Sequence, residues 1–452
     1  MFWVLIHKTA KIVEKDQLVV EVSRFGCQGN FYRFTLKCSI PTAMAKNKLF
    51  LFFGLFIIFS FTNSPDYLNW RGPNRDGIYP EKKLLKAWPE GGPSLLWSFD
   101  GLGAGHSSMG IGDGRLFTTG MPDTIGVLYS FDLKGKLMWK KAYGLEWFTN
   151  YTGPRSTPTV VGKLVYLLSG QGVVYCFDAL TGDIKWSVDL LKKFGASNIQ
   201  WGMTESLLID GNRIICTPGG KENNVVALDR YTGETIWTSP GFGEPAAYCS
   251  PILITHNNTK FIITMTTTSV IGIDANTGEM LWRTEQQQRN KIHANTPVYI
   301  DGVIYCSSAS GEKNSGTVAL KLSADGKNVE QLWRNEKLQN LMGGIIINDG
   351  FIYGSTYRKS DWYAVNTQTG VEKLISADFG NGVIIYADGL YYCYSEKGQL
   401  ALVDMGPDYF TIKSKFDISQ GTGEHWAHPV IHNRKLYLRH GNSLMVYDIA
   451  EK

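Results

Sequence analysis

Apolar and polar positions follow a pattern that repeats along most of the chain. An alternating apolar run ends at Asp, two residues precede a Thr-Gly pair, and a Trp follows in the next alternating run. Clear copies occupy residues 176–186, 228–237 and 273–282, and divergent copies begin at Phe131 and Asn366. Alternation with a period of two predicts strands, and the Thr-Gly pair predicts a tight turn in which Gly takes a positive φ. Each copy is therefore predicted to be a β-hairpin.

Two further strands precede each hairpin. In the second repeat, residues 156–161 and 164–168 are apolar runs separated by a turn at Gly162. The Trp returns every 42 to 51 residues from Trp97 to Trp333. Four short strands with a period of this length are typical of one blade of a β-propeller.

The number of blades follows from two independent counts, and both give eight. Inner strands begin near His106, Ser156, Thr204, Cys249, Ala294, Gly343, Gly382 and Ala427. Outer strands contain Trp97, Trp139, Trp186, Trp237, Trp282 and Trp333, with Leu374 and Phe416 in the last two. The outer strand at residues 94–100 stands alone at the start, and the last repeat ends at residues 443–448 without one. We therefore predict an all-β, eight-bladed β-propeller of four-stranded antiparallel blades, closed by the N-terminal strand.

The repeated residues themselves are predicted to be structural. Large flat indole rings suit the seam between blades, which assigns this role to Trp97, Trp139, Trp186, Trp237, Trp282 and Trp333. Gly182, Gly233 and Gly278 are the turn glycines of the clear copies. Asp178, Asp229 and Asp274 precede those turns, so we interpret them as turn formers and not as acids.

The chain outside the repeats predicts export. Residues 49–61 are an uncharged, almost wholly apolar run that follows Lys46 and Lys48. A run of this length is typical of the hydrophobic core of a signal peptide, and the alternative is a short N-terminal membrane anchor. We predict an upstream extension or mis-called start at residues 1–43, a signal peptide at 44–64, a lead-in segment at 65–93 and the propeller at 94–448. The mature chain would have no transmembrane span and would act in the periplasm or outer cell envelope, as a monomer.

Charge and cysteine content exclude several functions. The net charge of +4 comes from the first 64 residues, which hold eight basic and three acidic side chains, so the remainder carries −1. A near-neutral array without a basic stripe argues against nucleic acid as a partner. The seven cysteines lie mostly in separate strands, which favours buried thiols over disulfides, and no Cys-x-x-Cys-His motif for covalent haem occurs.

Polar and aromatic residues at the starts of the inner strands are the candidate site. These starts meet at one mouth of the channel, and the candidates there are His106, Arg155, Trp201, Glu205, Tyr248, His293, Asn295 and His425, with Glu424, Trp426 and His428 nearby. Arg155 could bind a carboxylate, and Trp201 could stack on a planar ligand. Glu205 and Asn295 could offer oxygens to Ca²⁺. The alternative is a hydrated rim that satisfies strand ends. No catalytic residue is assigned, and the spacing of His425 and His428 does not predict a metal site on a strand.

The hairpin Asp-x-x-Thr-Gly-x-x-x-Trp resembles the tryptophan-docking repeat of the pyrroloquinoline quinone (PQQ)-type eight-bladed propellers. Residues 69–77 (Asn-Trp-Arg-Gly-Pro-Asn-Arg-Asp-Gly) and 421–429 (Gly-Thr-Gly-Glu-His-Trp-Ala-His-Pro) resemble a subgroup of exported bacterial PQQ-like repeat proteins. The resemblance implies one of two functional classes. Quinoprotein alcohol dehydrogenases bind PQQ and Ca²⁺ over the channel, whereas scaffolds such as the propeller lipoprotein of the outer-membrane barrel-assembly machinery need no cofactor.

The sequence favours the scaffold class. No inner strand begins with Asp, no adjacent cysteines occur, and the connections between blades are too short to cap a site. We therefore expect a non-catalytic binding or scaffold protein of the cell envelope, without a cofactor, whose partner is an envelope protein or a glycan. The alternative is a PQQ- and Ca²⁺-dependent dehydrogenase of an alcohol or sugar, with Glu205 and Asn295 as the metal ligands.

Overall fold

The computed structural model describes residues 8–12, 17–25, 31–39, 67–310 and 313–451. It divides into two compact units, Met1–Thr62 and Asn63–Lys452. The first unit contains an antiparallel sheet of β1 (Lys8–Ile12), β2 (Gln17–Phe25) and β3 (Phe31–Ser39). The signal peptide predicted at 44–64 lies outside the described residues and stays a prediction. Within the described parts of the chain, no helix is both long and apolar enough to cross a membrane.

The second unit is a propeller of eight antiparallel blades, which confirms the predicted fold class. Before the first complete blade come β4 (Tyr67–Leu68), β5 (Ile78–Tyr79) and β6 (Ser94–Phe99). The first blade has β7 (Gly110–Gly112), β8 (Arg115–Gly120), β9 (Ile125–Asp132) and β10 (Leu137–Leu145). The second has β11 (Thr159–Val161), β12 (Leu164–Leu168), β13 (Val173–Asp178) and β14 (Ile184–Asp189), followed by the short helix α1 (Leu190–Phe194). The third has β15 (Leu208–Asp210), β16 (Arg213–Cys216), β17 (Val225–Asp229) and β18 (Thr235–Ser239).

The remaining blades follow in chain order. The fourth has β19 (Ile252–His256), β20 (Thr259–Met265), β21 (Ser269–Asp274) and β22 (Met280–Glu285). The fifth has β23 (Val298–Ile300), β24 (Val303–Ser308), β25 (Gly316–Leu322) and β26 (Val329–Asn335). The sixth has β27 (Ile346–Asn348), β28 (Phe351–Ser355), β29 (Trp362–Asn366) and β30 (Glu372–Ser376). The seventh has β31 (Gly382–Ala387), β32 (Leu390–Ser395), β33 (Gln399–Gly406) and β34 (Tyr409–Asp417). The eighth has β35 (Val430–His432), β36 (Lys435–His440) and β37 (Ser443–Asp448).

The N-terminal strand β6 closes the ring, as predicted. It pairs antiparallel with β37, from Ser94 opposite Asp448 to Phe99 opposite Leu444. The eighth blade is therefore built from both ends of the propeller sequence, and its outer strand carries Trp97 where the first five blades carry their Trp.

The lead-in before β6 also contributes strands, which the repeat pattern did not predict. β4 pairs antiparallel with β7 of the first blade, and β5 pairs parallel with β31 of the seventh. Tyr79, Leu84 and Trp88 are buried in one core cluster with residues of the seventh, eighth and first blades. The lead-in thus packs on the part of the ring where the closure is made.

The outer-strand tryptophans pack between neighbouring blades. Trp139 of the first blade lies over Gly182 of the second, where an added Cβ would stand 2.7 Å from the indole ring. Its Nε1 donates a hydrogen bond of 3.2 Å to the carbonyl of Ala179 in the same turn. The same contact joins Trp97, Trp186, Trp237 and Trp333 to Gly135, Gly233, Gly278 and Gly370. Since Gly182 has a φ of 76°, both the backbone and the space for the ring require glycine there.

The acidic residues before the turns accept hydrogen bonds from the turn backbone. Asp178 Oδ1 accepts from the amides of Leu180 and Thr181 at 2.9 and 3.1 Å. This geometry matches the predicted turn-forming role. The five cysteines of the propeller, Cys176, Cys216, Cys249, Cys306 and Cys393, are buried free thiols, as expected from their places in separate strands.

Candidate functional site

Buried hydroxyl groups tie the first inner strands together at one end of the ring. The amide of Ser108 donates to Thr157 Oγ1 at 3.1 Å, the amide of Thr157 to Ser206 Oγ at 3.0 Å, and the amide of Ser206 to Ser250 Oγ at 2.9 Å. Each bond joins one blade to the next at an equivalent position. Because buried amides are left without water, these bonds fix where each inner strand begins.

A recess that we call the cup opens among the inner-strand starts, with a volume of about 240 Å³. Its aromatic walls are Trp70, Tyr151, Trp201, Tyr248, Tyr357 and Trp426. Its polar lining residues are His106, Arg155, Thr204, Ser250, Asn290, Arg358 and His428, and the aliphatic ones are Ile292, Ala294, Leu341 and Met342. The cup is therefore an aromatic recess with two arginines, and no Asp or Glu is among the described residues that line it.

The floor of the cup comes from residues 69–77 of the lead-in, which we call the plug. Trp70 Nε1 donates to Thr296 Oγ1 of the fifth blade at 2.9 Å, and its ring lies 4.6 Å from that of His428 in the eighth. Arg71 donates to the carbonyl of Ile345 in the sixth blade at 3.0 Å. The first residues of the plug thus contact the fifth, sixth and eighth blades.

A second arginine anchors the other end of the plug. Arg75 donates to the carbonyl of Pro251 at 2.6 Å and to those of Ser206 and Leu207 at 2.9 and 2.6 Å. Arg71 and Arg75 are both buried, and burial lowers the pKa of each guanidinium to about 10. A planar guanidinium can meet several carbonyls at once, so arginine suits a position where two inner strands converge.

The plug separates the cup from a second recess of about 580 Å³. Where the chain enters the inner strand of the third blade, Thr204 lines the cup, the carbonyl of Leu207 accepts from Arg75, and residues 207–209 line the second recess. The fourth blade has the same order: Tyr248 and Ser250 line the cup, the carbonyl of Pro251 accepts from Arg75, and residues 252–255 line the second recess. The channel is therefore closed by the chain's own lead-in.

Four of the eight candidate residues predicted from the sequence line the cup: His106, Arg155, Trp201 and Tyr248. His106 has a side chain 7% exposed, and neither ring nitrogen makes a hydrogen bond of good geometry, although the backbone of Thr152 lies near the ring. Its Nε2 lies 3.9 Å from a carboxylate oxygen of Glu424, and its ring lies 5.1 Å from Trp426. Burial, helped by the charge of Arg155, lowers the pKa of His106 to about 3, so the imidazole is neutral.

Arg155 joins two aromatic walls of the cup. Its guanidinium donates to the carbonyls of Trp201 and Tyr151, and to that of Asn150 at 3.3 Å. Tyr248 reinforces the same wall, because its hydroxyl accepts a hydrogen bond of 3.2 Å from the amide of Trp201. Arg155 therefore uses part of its guanidinium to bind loop carbonyls. The sequence had suggested that the whole group was available to bind a carboxylate.

Glu205 and Asn295 lie behind the inner strands and not in the cup. Glu205 is buried and accepts from the amide of Thr217 at 3.0 Å, and its second oxygen has no partner. Burial raises the pKa of Glu205 to about 8 although Arg75 opposes the shift. Asn295 donates to the carbonyls of Ser307 and Asn340 at 3.1 and 2.7 Å and accepts from the amide of Gly344 at 3.0 Å.

The two remaining candidates also bond elsewhere. His293 is buried with Nε2 3.2 Å from the carbonyl of Thr267. His425 has Nδ1 2.6 Å from the hydroxyl of Tyr394, whereas His428 faces Arg71 at 3.1 Å. In the part of the chain that the structure describes, no group of three or more His, Cys, Asp or Glu side chains could hold a metal ion.

These donors do not fit a Ca²⁺-bound quinone. Ca²⁺ requires six to eight oxygen ligands, of which carboxylates are the usual anionic ones. The side-chain oxygen of Asn295 already accepts from the Gly344 amide, and Glu205 accepts from the amide of Thr217. The described lining of the cup offers hydroxyl and amide oxygens but no carboxylate, and it contains two guanidinium groups that would repel the metal.

Comparisons with known proteins agree with the propeller. A family model described as outer membrane protein assembly factor BamB matches residues 85–189 and 124–376. The BamB of Kangiella koreensis is 27% identical over 121 residues, which are 26% of this chain and 28% of that protein. The match to this relative thus spans less than a third of its length.

Solved structures of two functional classes share the fold. BamB from Moraxella catarrhalis gives a TM-score of 0.57 at 15% identity, over 79% of this chain and 98% of that one. The quinohemoprotein alcohol dehydrogenase from Comamonas testosteroni gives 0.61 at 12% identity, over 86% and 82%. At these identities the likeness shows the fold alone. Because the two ranges matched by the family model cover more than half of the chain, the protein belongs to the BamB-like family of PQQ-type β-propellers.

Proposed function

We propose that this protein is a non-catalytic binding or scaffold protein of the bacterial cell envelope, and that the cup holds part of an envelope partner. The observation that carries the proposal is the make-up of the cup, where six aromatic rings surround about 240 Å³ and the described lining includes no carboxylate. Such a recess buries planar and apolar groups. The Ca²⁺ that the resemblance to quinoprotein dehydrogenases implies would need carboxylate ligands there.

The comparisons support the location and the kind of partner. The matching family and the curated relative are described as outer membrane assembly factors. We therefore propose export to the periplasm or outer envelope as a monomer, an envelope protein as the partner with a glycan as the second candidate, and no cofactor. We also propose that the seam contacts of the repeated Trp are the tryptophan-docking motif of the PQQ-type propellers.

A turnover assay tests the absence of catalysis. The mature protein is mixed with PQQ and Ca²⁺, and dye reduction is followed with a panel of alcohols and sugars. We expect no turnover above that of the free quinone. Turnover that is lost in Glu205→Ala would contradict the proposal and favour the dehydrogenase.

Site-specific crosslinking tests the partner. The photo-crosslinker p-benzoylphenylalanine is placed at Tyr151, which lines the cup and is 48% exposed, or at Tyr231, a turn residue outside the cup that is 52% exposed. We expect a discrete adduct with an envelope protein in intact cells only from position 151, and recovery of the protein in the envelope fraction. Equal adducts from both positions, or none from position 151, would contradict a role of the cup.

A further inference from the structure

We propose that the cup receives one aromatic side chain of an acidic, extended polypeptide segment, and that the rest of the segment lies between the fifth and sixth blades. This inference rests on the proposed binding function and names the chemistry of the partner at the same site. Three features of the structure support it: the size and polarity of the cup, a polar opening beside it, and the charge of both.

The cup has the size and the lining for a single ring. An engineered apolar cavity of roughly 150 Å³ holds benzene, so about 240 Å³ accommodates the side chain of Phe, Tyr or Trp. The walls offer flat rings at Trp70, Trp201 and Trp426, against which a ring can pack edge-to-face or offset. A sugar would bury several hydroxyls among these walls, and each would need a partner. The apolar walls therefore favour an aromatic side chain over a glycan.

One polar group in the wall is poorly satisfied. The buried imidazole of His106 is neutral, and neither nitrogen makes a hydrogen bond of good geometry, although the backbone of Thr152 lies near the ring. A neutral imidazole offers one donor and one acceptor, which suit a peptide amide or carbonyl next to the inserted side chain. Because leaving buried polar atoms unpaired is costly, binding of a peptide group there would be favourable.

The cup continues into a polar opening that we call the cleft. The cleft has a volume of about 720 Å³ and shares Asn290, Tyr357 and Arg358 with the lining of the cup. Its other walls come from the loop before the sixth blade, at Lys337, and from Arg289 before the fifth. A segment with a side chain in the cup therefore has a way out toward the rim.

The charge of this surface selects an acidic segment. Among the described residues, the linings of cup and cleft carry three arginines and two lysines against the carboxylates of Glu336 and Asp361. Glu424, 3.9 Å from His106, adds a third carboxylate beside the cup, and the surface stays positive. Arg358 stands where cup and cleft meet and is exposed. Carboxylates that flank the inserted aromatic residue would meet this positive surface, which fixes the direction of the segment and speeds association.

The test uses short peptides and the mature protein. The probe is a blocked, fluorescein-labelled pentapeptide with a central Phe and two Glu on each side, followed by fluorescence anisotropy. One comparison peptide replaces the Phe by Ala, and another replaces the Glu residues by Lys. A galacturonic acid trisaccharide serves as an anionic glycan competitor. We expect the Ala and Lys peptides to bind at least about tenfold more weakly, and the trisaccharide not to compete.

Matched protein variants locate the binding. Arg358 and Arg434 are both exposed arginines with a left-handed backbone, at φ of 58° and 55°, and Arg434 lies in the turn between β35 and β36, outside the cup and cleft. We expect Arg358→Glu to weaken the Glu peptide at least about tenfold and to strengthen the Lys peptide, and Arg434→Glu to change either by less than about twofold. Thermal unfolding of both variants confirms that they fold.

The outcomes separate the inference from the proposed function. Equal affinity for the Phe and Ala peptides, or an Arg358→Glu variant that behaves like Arg434→Glu, would overturn the inference. Failure of the Phe peptide to bind, or its displacement by the trisaccharide, would also overturn the inference, and displacement would leave a binding function in place. Turnover with PQQ and Ca²⁺ would instead overturn the proposed function itself.

Discussion

Burial sets the protonation state of the titratable side chains around the channel. Desolvation raises the pKa of the Glu205 carboxyl and lowers the pKa values of four histidines, His106, His293, His425 and His428. All of these groups are thereby neutral at pH 7. Positive charge near the channel therefore comes from arginines, whose charge persists throughout the physiological pH range.

The pKa of Glu205 predicts a loss of stability toward alkaline pH. The folded state holds the proton up to about pH 8, whereas the unfolded chain releases it near 4.5, so the free energy of unfolding falls as the pH rises through this window. Urea titration measures the change in the free energy of unfolding that Glu205→Gln causes at pH 5 and at pH 9. We expect this change to be more stabilising at pH 9 than at pH 5 by a few kcal/mol. Glu234→Gln, on an exposed turn, is the control. A pH-independent effect of Glu205→Gln would contradict this.

The buried histidines predict a loss of stability toward acid pH. His293 has a folded pKa of about 4 against an ordinary value of 6.5, so the unfolded chain binds its proton first and stability falls as the pH drops from about 6.5 to 4. We expect His293→Gln to reduce the slope of unfolding free energy against pH by up to about 1.4 kcal/mol per pH unit in this window. An unchanged slope would show that folding leaves the pKa of His293 near its ordinary value.

At the scale of the elements, the turn of one blade and the outer strand of the preceding blade form one unit. The ring of Trp282 is buried, and its Nε1 donates to the carbonyl of Gly326 in the fifth blade at 3.2 Å. Trp237 is likewise buried over Gly278. Neighbouring blades are thus joined through side chains that belong to the repeat, and the seam is reproduced wherever the motif is complete.

Truncation of these rings should weaken the whole propeller. We expect Trp186→Ala, Trp237→Ala and Trp282→Ala each to lower the free energy of unfolding by about 3–5 kcal/mol, because each removes a large side chain from a packed seam. Tyr231→Ala, which truncates an exposed ring beside the same turns, should cost less than about 1 kcal/mol. Urea titration measures both, and a neutral result for Trp282→Ala would show that its ring does not support the seam.

The hydrogen bonds of Arg75 in the plug predict that the lead-in also contributes to the stability of the propeller. Arg75 serves three carbonyls on two inner strands, and an ammonium group lacks the planar fork to reach all of them. We expect Arg75→Lys to lower the free energy of unfolding by about 1–3 kcal/mol, since buried carbonyls lose their partners, and Arg434→Lys to be neutral within about 0.5 kcal/mol. Equal urea midpoints for the two variants would mean that the plug contributes nothing to stability.

For the whole molecule, the sequence predicted the ring better than the site. Blade number and closure follow from local motifs that recur, and the structure has both. The site depends on which way each side chain faces. Asn290, Ile292 and Ala294, at every second position, line the cup. The candidate residues His293 and Asn295 alternate with them and bond elsewhere. The sequence alone does not show which of the two alternating sets of side chains faces the cup.

The plug was missed for a different reason. Its residues lie outside the repeats, so no internal copy shows what they contact, and the motif at 69–77 served only as a mark of resemblance. The available signal in the sequence was the presence of two arginines in a short stretch with two glycines, which is typical of a compact loop. In the structure, Arg71 and Arg75 have positive φ values of 58° and 61°. Their partners lie more than a hundred residues away along the chain, which no local pattern reveals.

The pairing of β6 with β37 has a consequence for how the chain matures. Ser94 meets Asp448, so the contact that closes the ring spans nearly the whole propeller sequence. During synthesis, β6 has no strand to pair with until β37 has been made. A chain that ends before residue 443 lacks β37 and cannot close the ring in this way. Closure of the ring therefore depends on a chain that extends through β37, and shorter fragments keep an unpaired strand edge that can pair with another chain.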